Sequence, residues 1–286
     1  MIIVQDLFVY PLKSARGIRL SSAEVDERGL NHDRQFLVVD EKGMFVAQRR
    51  GEGVGVAIQS MCLIETHLGS NSLTLKAPQM PGLHLPLDSK PNDEIVWVQI
   101  WKDTCLAQDQ GVGANEWITR FLSRYRPGKY RLMRIHEAEK RKQRRGSGIV
   151  GFADADSELV ISQASVDDLN SRMGKRGHGP VPMNRFRPNI VLEGCLPYEE
   201  DGMAEIEINN VTFEGTTLCV RCTIPMIDQH SAKQGTEPIT TLAEYRRHPG
   251  YDNKIVFGRN SNHTNRGTIK VAQEVKVVRR DNPWAI

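Results

Sequence analysis

The chain has 286 residues, of which 39% are hydrophobic, and its formal net charge is +3 with a pI near 8.6. This length can bury one large core or two smaller ones, and so small a charge, without aromatic residues between the basic ones, argues against nucleic-acid binding. Residues 1–6 contain neither a basic leader nor the start of a long apolar stretch, so we expect no secretion signal, no membrane span and a cytoplasmic location.

Short strands are predicted to dominate the first third of the chain. Apolar and polar residues alternate at 2–10, 35–40 and 94–101, which is the period of a half-buried strand, and turns rich in glycine or proline separate these segments. The period changes to a helical one within 111–128, which predicts one amphipathic helix that Pro127-Gly128 ends. The apolar face of that helix is formed by Trp117, Ile118, Phe121, Leu122 and Tyr125.

Two shorter helices and a hairpin are predicted further along. Ser165 precedes an acidic third position and is the predicted N-cap of a helix that Gly174 ends, and Thr241 gives the same signal for a third helix. Residues 204–215 alternate around Asn209-Asn210, a pair that tolerates the positive φ of a two-residue hairpin turn. The strand after this turn should deliver residues 218–222.

Many short strands, three short helices and no strand-helix-strand rhythm predict a mainly β protein with short helices, built from barrels rather than a doubly wound sheet. We find no internal repeat, and we place a domain boundary between residues 100 and 130. The five cysteines (62, 105, 195, 219 and 222) are odd in number and widely scattered, so we expect reduced thiols.

Two motifs near the C-terminal end combine an anion site with a thiol. Residues 184–189 read Asn-Arg-Phe-Arg-Pro-Asn, and residues 219–222 read Cys-Val-Arg-Cys. Guanidinium groups suit phosphate, and thiolate is a soft metal ligand, so together they indicate an anionic cofactor held by a cysteine. Alone, a Cys-x-x-Cys pair is more often a buried strand pair, a zinc site or a redox pair. No histidine is spaced to complete a tetrahedral zinc site.

These motifs resemble the MOSC domain, and so do residues 190–195 and 267–271. Residues 10–14 and 33–34 resemble the β-barrel module that precedes MOSC. The resemblance runs in order along about 280 positions. The nearest subgroup is the amidoxime-reducing components. The resemblance implies an N-terminal β-barrel domain (1–105) packed on a larger MOSC β-barrel (106–286), with the molybdenum cofactor, in its molybdopterin form, in the cleft between them.

The resemblance also implies the site residues. Cys222 matches the molybdenum ligand and catalytic cysteine, and is preferred to Cys219. The residues that match cofactor-binding positions are Lys13, Ser14, Arg34, Ser162, Arg187, Asn189 and Arg221. For each cation alone the ordinary alternative is a solvated surface charge. Cys195 is expected to be structural. Gln48 and Arg49 invert the order of the family motif, which leaves their role open, and Asp228 is a candidate for shaping the substrate mouth.

The implied activity is molybdenum-dependent reduction of N-hydroxylated compounds such as amidoximes, hydroxylamines and N-hydroxylated base analogues. The given sequence ends at Ile286 without the four-cysteine ferredoxin domain of some relatives, so we expect a separate flavin or iron-sulfur electron donor. The alternative is a carrier of the cofactor or of a persulfide, and a third class is a binding module without chemistry. The basic run 140–145 is predicted to be an exposed loop, either merely solvated or a docking patch for an acidic electron carrier.

Overall fold

The computed structural model describes residues 1–51, 54–88 and 94–285, and it confirms a mainly β protein with few short helices. The strands of the first half are β1 (Ile3–Val9), β2 (Ile18–Leu20), β3 (Ser22–Asp26), β4 (Gly29–Leu30), β5 (Phe36–Val39), β6 (Val46–Ala47), β7 (Val56–Ala57), β8 (Glu65–Leu68), β9 (Ser72–Lys76), β10 (Leu83–Pro86), β11 (Ile95–Ile100), β12 (Asp103–Asp109) and β13 (Arg131–Ile135).

The strands of the second half are β14 (Glu158–Ser162), β15 (Ile190–Glu193), β16 (Met203–Ile208), β17 (Val211–Val220), β18 (Arg247–His248), β19 (Lys254–His263), β20 (Gly267–Lys270) and β21 (Val275–Arg280). The helices are α1 (Val112–Leu122), α2 (Gln163–Lys175) and α3 (Ile239–Leu242). The strands predicted at 2–10, 35–40 and 94–101 are confirmed as β1, β5 and β11. No described helix has the length and apolar character that a membrane crossing requires.

One nine-stranded sheet forms the larger part of the molecule. Its order is β2-β1-β15-β14-β19-β17-β16-β21, with β18 paired to β19, and only the β14–β15 pair is parallel. The first two strands therefore complete a sheet of the second half. Conversely, β13 pairs with β5 and β12 in a four-stranded sheet of the first half. Strand pairing thus crosses residue 105 in both directions, which ties the two halves together.

Helix α1 covers the core of the smaller part with the predicted face. Trp117, Ile118, Phe121 and Leu122 are buried, but the helix ends at Leu122, so the prediction for Tyr125 is wrong: it lies beyond the helix and is 48% exposed. Beyond the helix, the hydroxyl of Ser123 donates to the carbonyl of Gly128 at 2.8 Å, which stabilises the turn that follows.

The caps of the two shorter helices differ from the prediction. The N-cap of α2 is Ser162, whose Oγ accepts from the Ser165 backbone N–H at 3.2 Å, so Ser165 lies in the first turn. The helix continues to Lys175, one residue past Gly174. Thr241 lies inside α3, because the chain is already helical from Ile239 and the Glu237 carboxylate accepts its N–H at 3.0 Å.

The predicted hairpin between β16 and β17 is confirmed. Asn209 and Asn210 have φ angles of 48° and 64°, and Ile208 faces Val211 across the turn. The hairpin sets the register of β17, which runs through the large sheet beside β19 and ends at Val220. Arg221 and Cys222 therefore emerge from the end of this strand rather than lying within it.

Candidate functional site

A cavity of about 380 Å³ lies where the end of β17 meets the loops of the first half, and we call it the central cavity. Seven of the eight predicted site residues line it, although they are separated by up to about 200 positions in the sequence: Lys13, Ser14, Arg34, Arg187, Asn189, Arg221 and Cys222. Ser162 does not line it. Its side chain is fully buried, caps α2 and lies 2.8 Å from the Ser165 hydroxyl, so the prediction that it contacts a cofactor is corrected.

The backbone is unusual at three of these residues. Ser14, Arg34 and Arg187 have φ angles of 70°, 46° and 58°, in the left-handed region that residues with a Cβ rarely adopt. Each such conformation costs about 1 kcal/mol or more, and it persists only where the surroundings impose it. Residues of this kind cluster at functional sites, and here all three direct their chains around one cavity.

Asn189 holds Arg34 in place. Its side-chain oxygen accepts from Arg34 Nη1 at 2.9 Å and from the Leu159 backbone N–H at 3.3 Å, and its Nδ2 donates to the Phe8 carbonyl at 3.1 Å. The Asp33 carboxylate forms an ion pair with the same guanidinium. Because the Asn189 amide makes these three bonds and the residue is 1% exposed, it positions Arg34 and joins the two halves of the chain.

Tyr10 supports two of the cavity's arginines. The guanidinium carbons of Arg34 and Arg187 lie 4.5 and 4.2 Å from the centre of its ring, and its hydroxyl donates to the Pro188 carbonyl at 3.0 Å. Burial raises the pKa of Tyr10 to about 12 and lowers the pKa of Arg187 to about 10. A buried cation whose pKa is lowered gains from any anion bound beside it.

Lys13 is buried and points toward a second wall of the cavity. Its Nζ donates to the Phe152 carbonyl at 2.8 Å and forms an ion pair with Asp154. Burial lowers the pKa of Lys13, and the Asp154 charge opposes that shift. The Trp101 indole N–H also donates to Asp154, at 2.9 Å, so this carboxylate is oriented from two sides.

The two cysteines of the Cys-Val-Arg-Cys motif both line the cavity, and all five cysteines are free in the structure. Cys222 is half-buried just past β17. Arg221 turns back: its Nη1 lies 3.1 Å from the Cys219 sulfur, and its Nη2 donates to the Phe186 carbonyl at 2.8 Å. Burial raises the pKa of Cys219, while Arg221 opposes this. Cys195 packs against the core of the large sheet, as expected.

The basic run 140–145 is only partly the exposed loop that was predicted. Arg141 is buried, because its guanidinium donates to Asp103 at 2.8 Å and to the carbonyls of Gly151 and Ala153 at 3.1 and 2.5 Å. Arg144 and Arg145 are exposed at the wall of the central cavity. The sequence showed the cluster of positive charge, but which of its residues reach the cavity depends on the conformation of the loop.

The charge of the cavity wall favours an anion. Among the described lining residues, seven are cationic and three are acidic: Lys13, Arg34, Arg49, Arg144, Arg145, Arg187 and Arg221 against Asp154, Asp156 and Glu158. Arg49 had been left open in the sequence, and here its guanidinium carbon lies 5.0 Å from the Trp101 ring centre. A surplus of four cations with converging guanidinium forks suits a phosphate dianion.

A metal at this site would need ligands beyond the protein. Within residues 1–51, 54–88 and 94–285, no group of three or more His, Cys, Asp or Glu side chains is placed to hold a metal ion. Cys222 can offer one sulfur, so the remaining ligands would have to come with the bound group. An anionic cofactor that carries its own sulfur ligands fits this donor set: cations for its phosphate, and one thiol for its metal.

Asp228 lies near the site without lining the central cavity. Its carboxylate accepts from the backbone N–H groups of His230 and Ser231 at 3.1 and 2.9 Å and pairs with Arg185 at 3.2 Å. Burial acts to raise its pKa, but these bonds outweigh it and the pKa is lowered. Asp228 therefore stabilises its own turn and anchors Arg185, which had no assigned role.

Comparisons with known proteins identify two domains in this chain. Residues 1–125 match the MOSC N-terminal beta barrel domain, and residues 147–276 match the MOSC domain. Mitochondrial amidoxime-reducing component 1 of Mus musculus is 30% identical over 292 residues, which cover 95% of this chain and 81% of the relative. Mitochondrial amidoxime reducing component 2 of Bos taurus is 31% identical over 258 residues, which cover 85% of this chain and 72% of the relative. Molybdenum cofactor sulfurase of Oryza sativa is 30% identical over 270 residues, which cover 89% of this chain and 32% of the relative.

Proposed function

Since this chain belongs to the MOSC family that includes the amidoxime-reducing components, we propose that it is a molybdenum cofactor-dependent reductase of N-hydroxylated compounds. The proposed substrates are amidoximes, hydroxylamines and N-hydroxylated base analogues. For a hydroxylamine the balance is R–NHOH + 2e⁻ + 2H⁺ → R–NH₂ + H₂O: the N–O bond is broken, nitrogen is reduced, and the oxygen leaves as water.

The observation that carries this proposal is the convergence of a half-buried thiol with cations from both halves of the chain. Cys222, at the open end of β17, lines the same cavity as Lys13, Arg34 and Arg187. A structural Cys-x-x-Cys pair would not require seven cations around it, nor three residues with left-handed backbone in the facing loops.

Each residue of the cavity has a defined part in holding the cofactor. Lys13, Arg34 and Arg187 offer charge-assisted donors to the phosphate, and the Ser14 hydroxyl offers a neutral donor and acceptor for the pterin edge. Asn189 keeps Arg34 aligned through the 2.9 Å bond described above. Arg221 shields the Cys219 sulfur, which leaves Cys222 as the thiol for the metal.

When bound, the molybdenum cofactor would take two electrons from a separate flavin or iron-sulfur donor and deliver them to the N–O bond. The protein's own residues bind the cofactor, orient the cysteine and exclude bulk water from the wall formed by Phe45, Ala47 and Phe186. The exposed Arg144 and Arg145 at the cavity give the site a positive rim, which favours approach of an acidic donor.

Benzamidoxime reduction with a chemical electron donor tests the proposal. Protein from cofactor-competent cells should form benzamidine at a rate that depends on the donor, and Cys222→Ala should abolish this. The matched control is Cys219→Ala, three residues away in the same cavity wall, which should retain most of the activity. Full activity in Cys222→Ala would refute the role of this cysteine, and no activity in the loaded wild type would refute the reductase.

One observation favours a second function, that of a cofactor or persulfide carrier. Arg221 contacts the sulfur of Cys219, an arrangement that would stabilise an anionic sulfur species there, and the chain is similar to molybdenum cofactor sulfurase over 32% of that protein. A carrier would show the mass of one added sulfur atom on Cys219 or Cys222, or would transfer bound cofactor to an apoenzyme, without reducing benzamidoxime.

A further inference from the structure

A second groove of about 680 Å³ adjoins the central cavity. Its lining includes Arg49, Arg50, Arg126, Ser60, Thr223 and Gln234, and we call it the arginine groove. Gln59 and Gln234 are hydrogen-bonded to each other in its wall, so the two halves of the chain build it together. None of the residues assigned to the proposed cofactor is among the described residues that line it.

Two features connect this groove with the proposed reaction. Arg49 lines both the groove and the central cavity, and Thr223 follows Cys222 directly in the chain. A molecule that extends from the groove past Arg49 would therefore enter the cavity that contains the thiol proposed to hold the metal. This is the position in which the part of a substrate remote from its N–O bond would bind.

The arginines of the groove are not neutralised by the carboxylates that the structure describes. Arg49 donates to the Arg50 carbonyl at 2.9 Å and stacks on Trp101, while no ion pair is found for Arg50 or Arg126 in the described ranges. Other arginines, such as Arg131, Arg141 and Arg185, do pair with a carboxylate. No acidic residue is among the described residues of the groove wall.

Three guanidinium groups in a concave surface create a positive potential that attracts an anion, and their planar forks match the two oxygens of a carboxylate or phosphate. The hydroxyls of Ser60 and Thr223 and the amide of Gln234 add neutral donors around them. A neutral, apolar substrate would offer these groups no oxyanion to bind.

We propose that the arginine groove is a substrate subsite that selects N-hydroxylated compounds carrying an oxyanion, a carboxylate or a phosphate, remote from the N–O bond. This inference rests on the proposed function for the reacting end of the substrate. The oxyanion lies on Arg50 and Arg126, with Arg49 between them and the central cavity.

Paired substrates test the subsite. Benzamidoxime, 4-carboxybenzamidoxime and the amidoxime of 4-cyanophenyl phosphate share one reacting group and differ in remote charge. The wild type should show a higher kcat/KM for one or both acidic substrates, and in the double variant Arg50→Gln/Arg126→Gln their selectivity over benzamidoxime should fall about tenfold. The preference should also weaken at higher ionic strength. The acidic substrate with the higher kcat/KM shows whether the subsite prefers a carboxylate or a phosphate.

The control variant is Arg124→Gln. Arg124 is an exposed arginine close in sequence to Arg126 that lines neither cavity and bonds to the Pro78 carbonyl at 3.0 Å, so the selectivity should not change. An equal loss for neutral and acidic substrates in the double variant would show a structural role and would overturn the subsite, as would unchanged selectivity.

Calorimetric binding of 4-carboxybenzamidoxime to the purified protein separates this inference from the proposed function. If no amidoxime is reduced but the double variant binds this compound about tenfold more weakly, the subsite stands and the reductase fails. If benzamidoxime is reduced and the acidic substrates show no higher kcat/KM than benzamidoxime, the reductase proposal stands and the subsite proposal fails.

Discussion

Replacing Tyr10 tests whether one aromatic ring holds the arginines of the central cavity. Arg34 and Arg187 lie 4.5 and 4.2 Å from its ring centre, and its hydroxyl bonds to Pro188 at 3.0 Å. Tyr10→Phe removes only the hydroxyl and leaves the Pro188 carbonyl unpaired, which should destabilise the protein by about 1–3 kcal/mol. Tyr10→Leu also removes the ring. Two cation–π contacts at a buried site contribute about 1–2 kcal/mol each, so the leucine variant should be about 2–4 kcal/mol less stable than the phenylalanine variant.

Urea unfolding followed by tryptophan fluorescence compares the two variants directly, with Tyr10→Phe as the matched control. The molybdenum content of each purified variant is the second readout: Tyr10→Phe should retain its metal, and Tyr10→Leu should lose most of it because Arg34 and Arg187 are no longer held. If the free energies of unfolding of the two variants differ by less than about 0.5 kcal/mol and their molybdenum contents are equal, the proposed support of the arginines by the ring is refuted.

Three further results are expected. Burial raises the pKa of Glu200 to about 7, so the stability this carboxyl provides is full below its unfolded pKa of about 4.5 and is lost as the pH rises from there through 7. Urea unfolding at pH 5 and pH 8 should show a loss of about 2.5 kcal/mol in the free energy of unfolding, and Glu200→Gln should remove this loss. A pH dependence as steep in the variant as in the wild type would contradict this. Gly258 has φ +81°, and an added Cβ would lie 2.7 Å from Ile161 Cγ1, so Gly258→Ala should destabilise the protein by about 2–4 kcal/mol. The control Gly113→Ala lies in α1 with open space around it and should be neutral or slightly stabilising. Similar unfolding curves for the two variants would disprove the steric argument. Cys219→Ser should keep its molybdenum, and a metal content as low as that of a Cys222 variant would show that both sulfurs are needed.

The sequence predicted the fold class because local signals carry over to three dimensions, whereas the candidate site residues came from the order of motifs along the chain. The alternating strands, the buried face of α1 and the Asn209-Asn210 turn depend on nearby residues only. Lys13, Ser14, Arg187 and Asn189 were chosen from motif order, and all four line one cavity.

What the sequence did not predict depends on long-range geometry. Ser162 became a helix cap because β14 ends one residue before α2 begins, and no local pattern distinguishes that from a ligand position. Arg144 reaches the central cavity while Arg141 of the same basic run is buried by Asp103, which is 38 positions away. The exchange of β1 and β13 between the halves is likewise a property of strand pairing, not of composition.

The measurement that tests the central claim most directly is the molybdenum content per chain, determined by mass spectrometry of metals, for wild type, Cys222→Ala and Cys219→Ser purified from the same cofactor-competent cells. We expect close to one molybdenum per chain in wild type and in Cys219→Ser, and little or none in Cys222→Ala. No molybdenum in the wild type, or equal loading in all three proteins, would contradict the assignment of Cys222 as the metal ligand in a cofactor site.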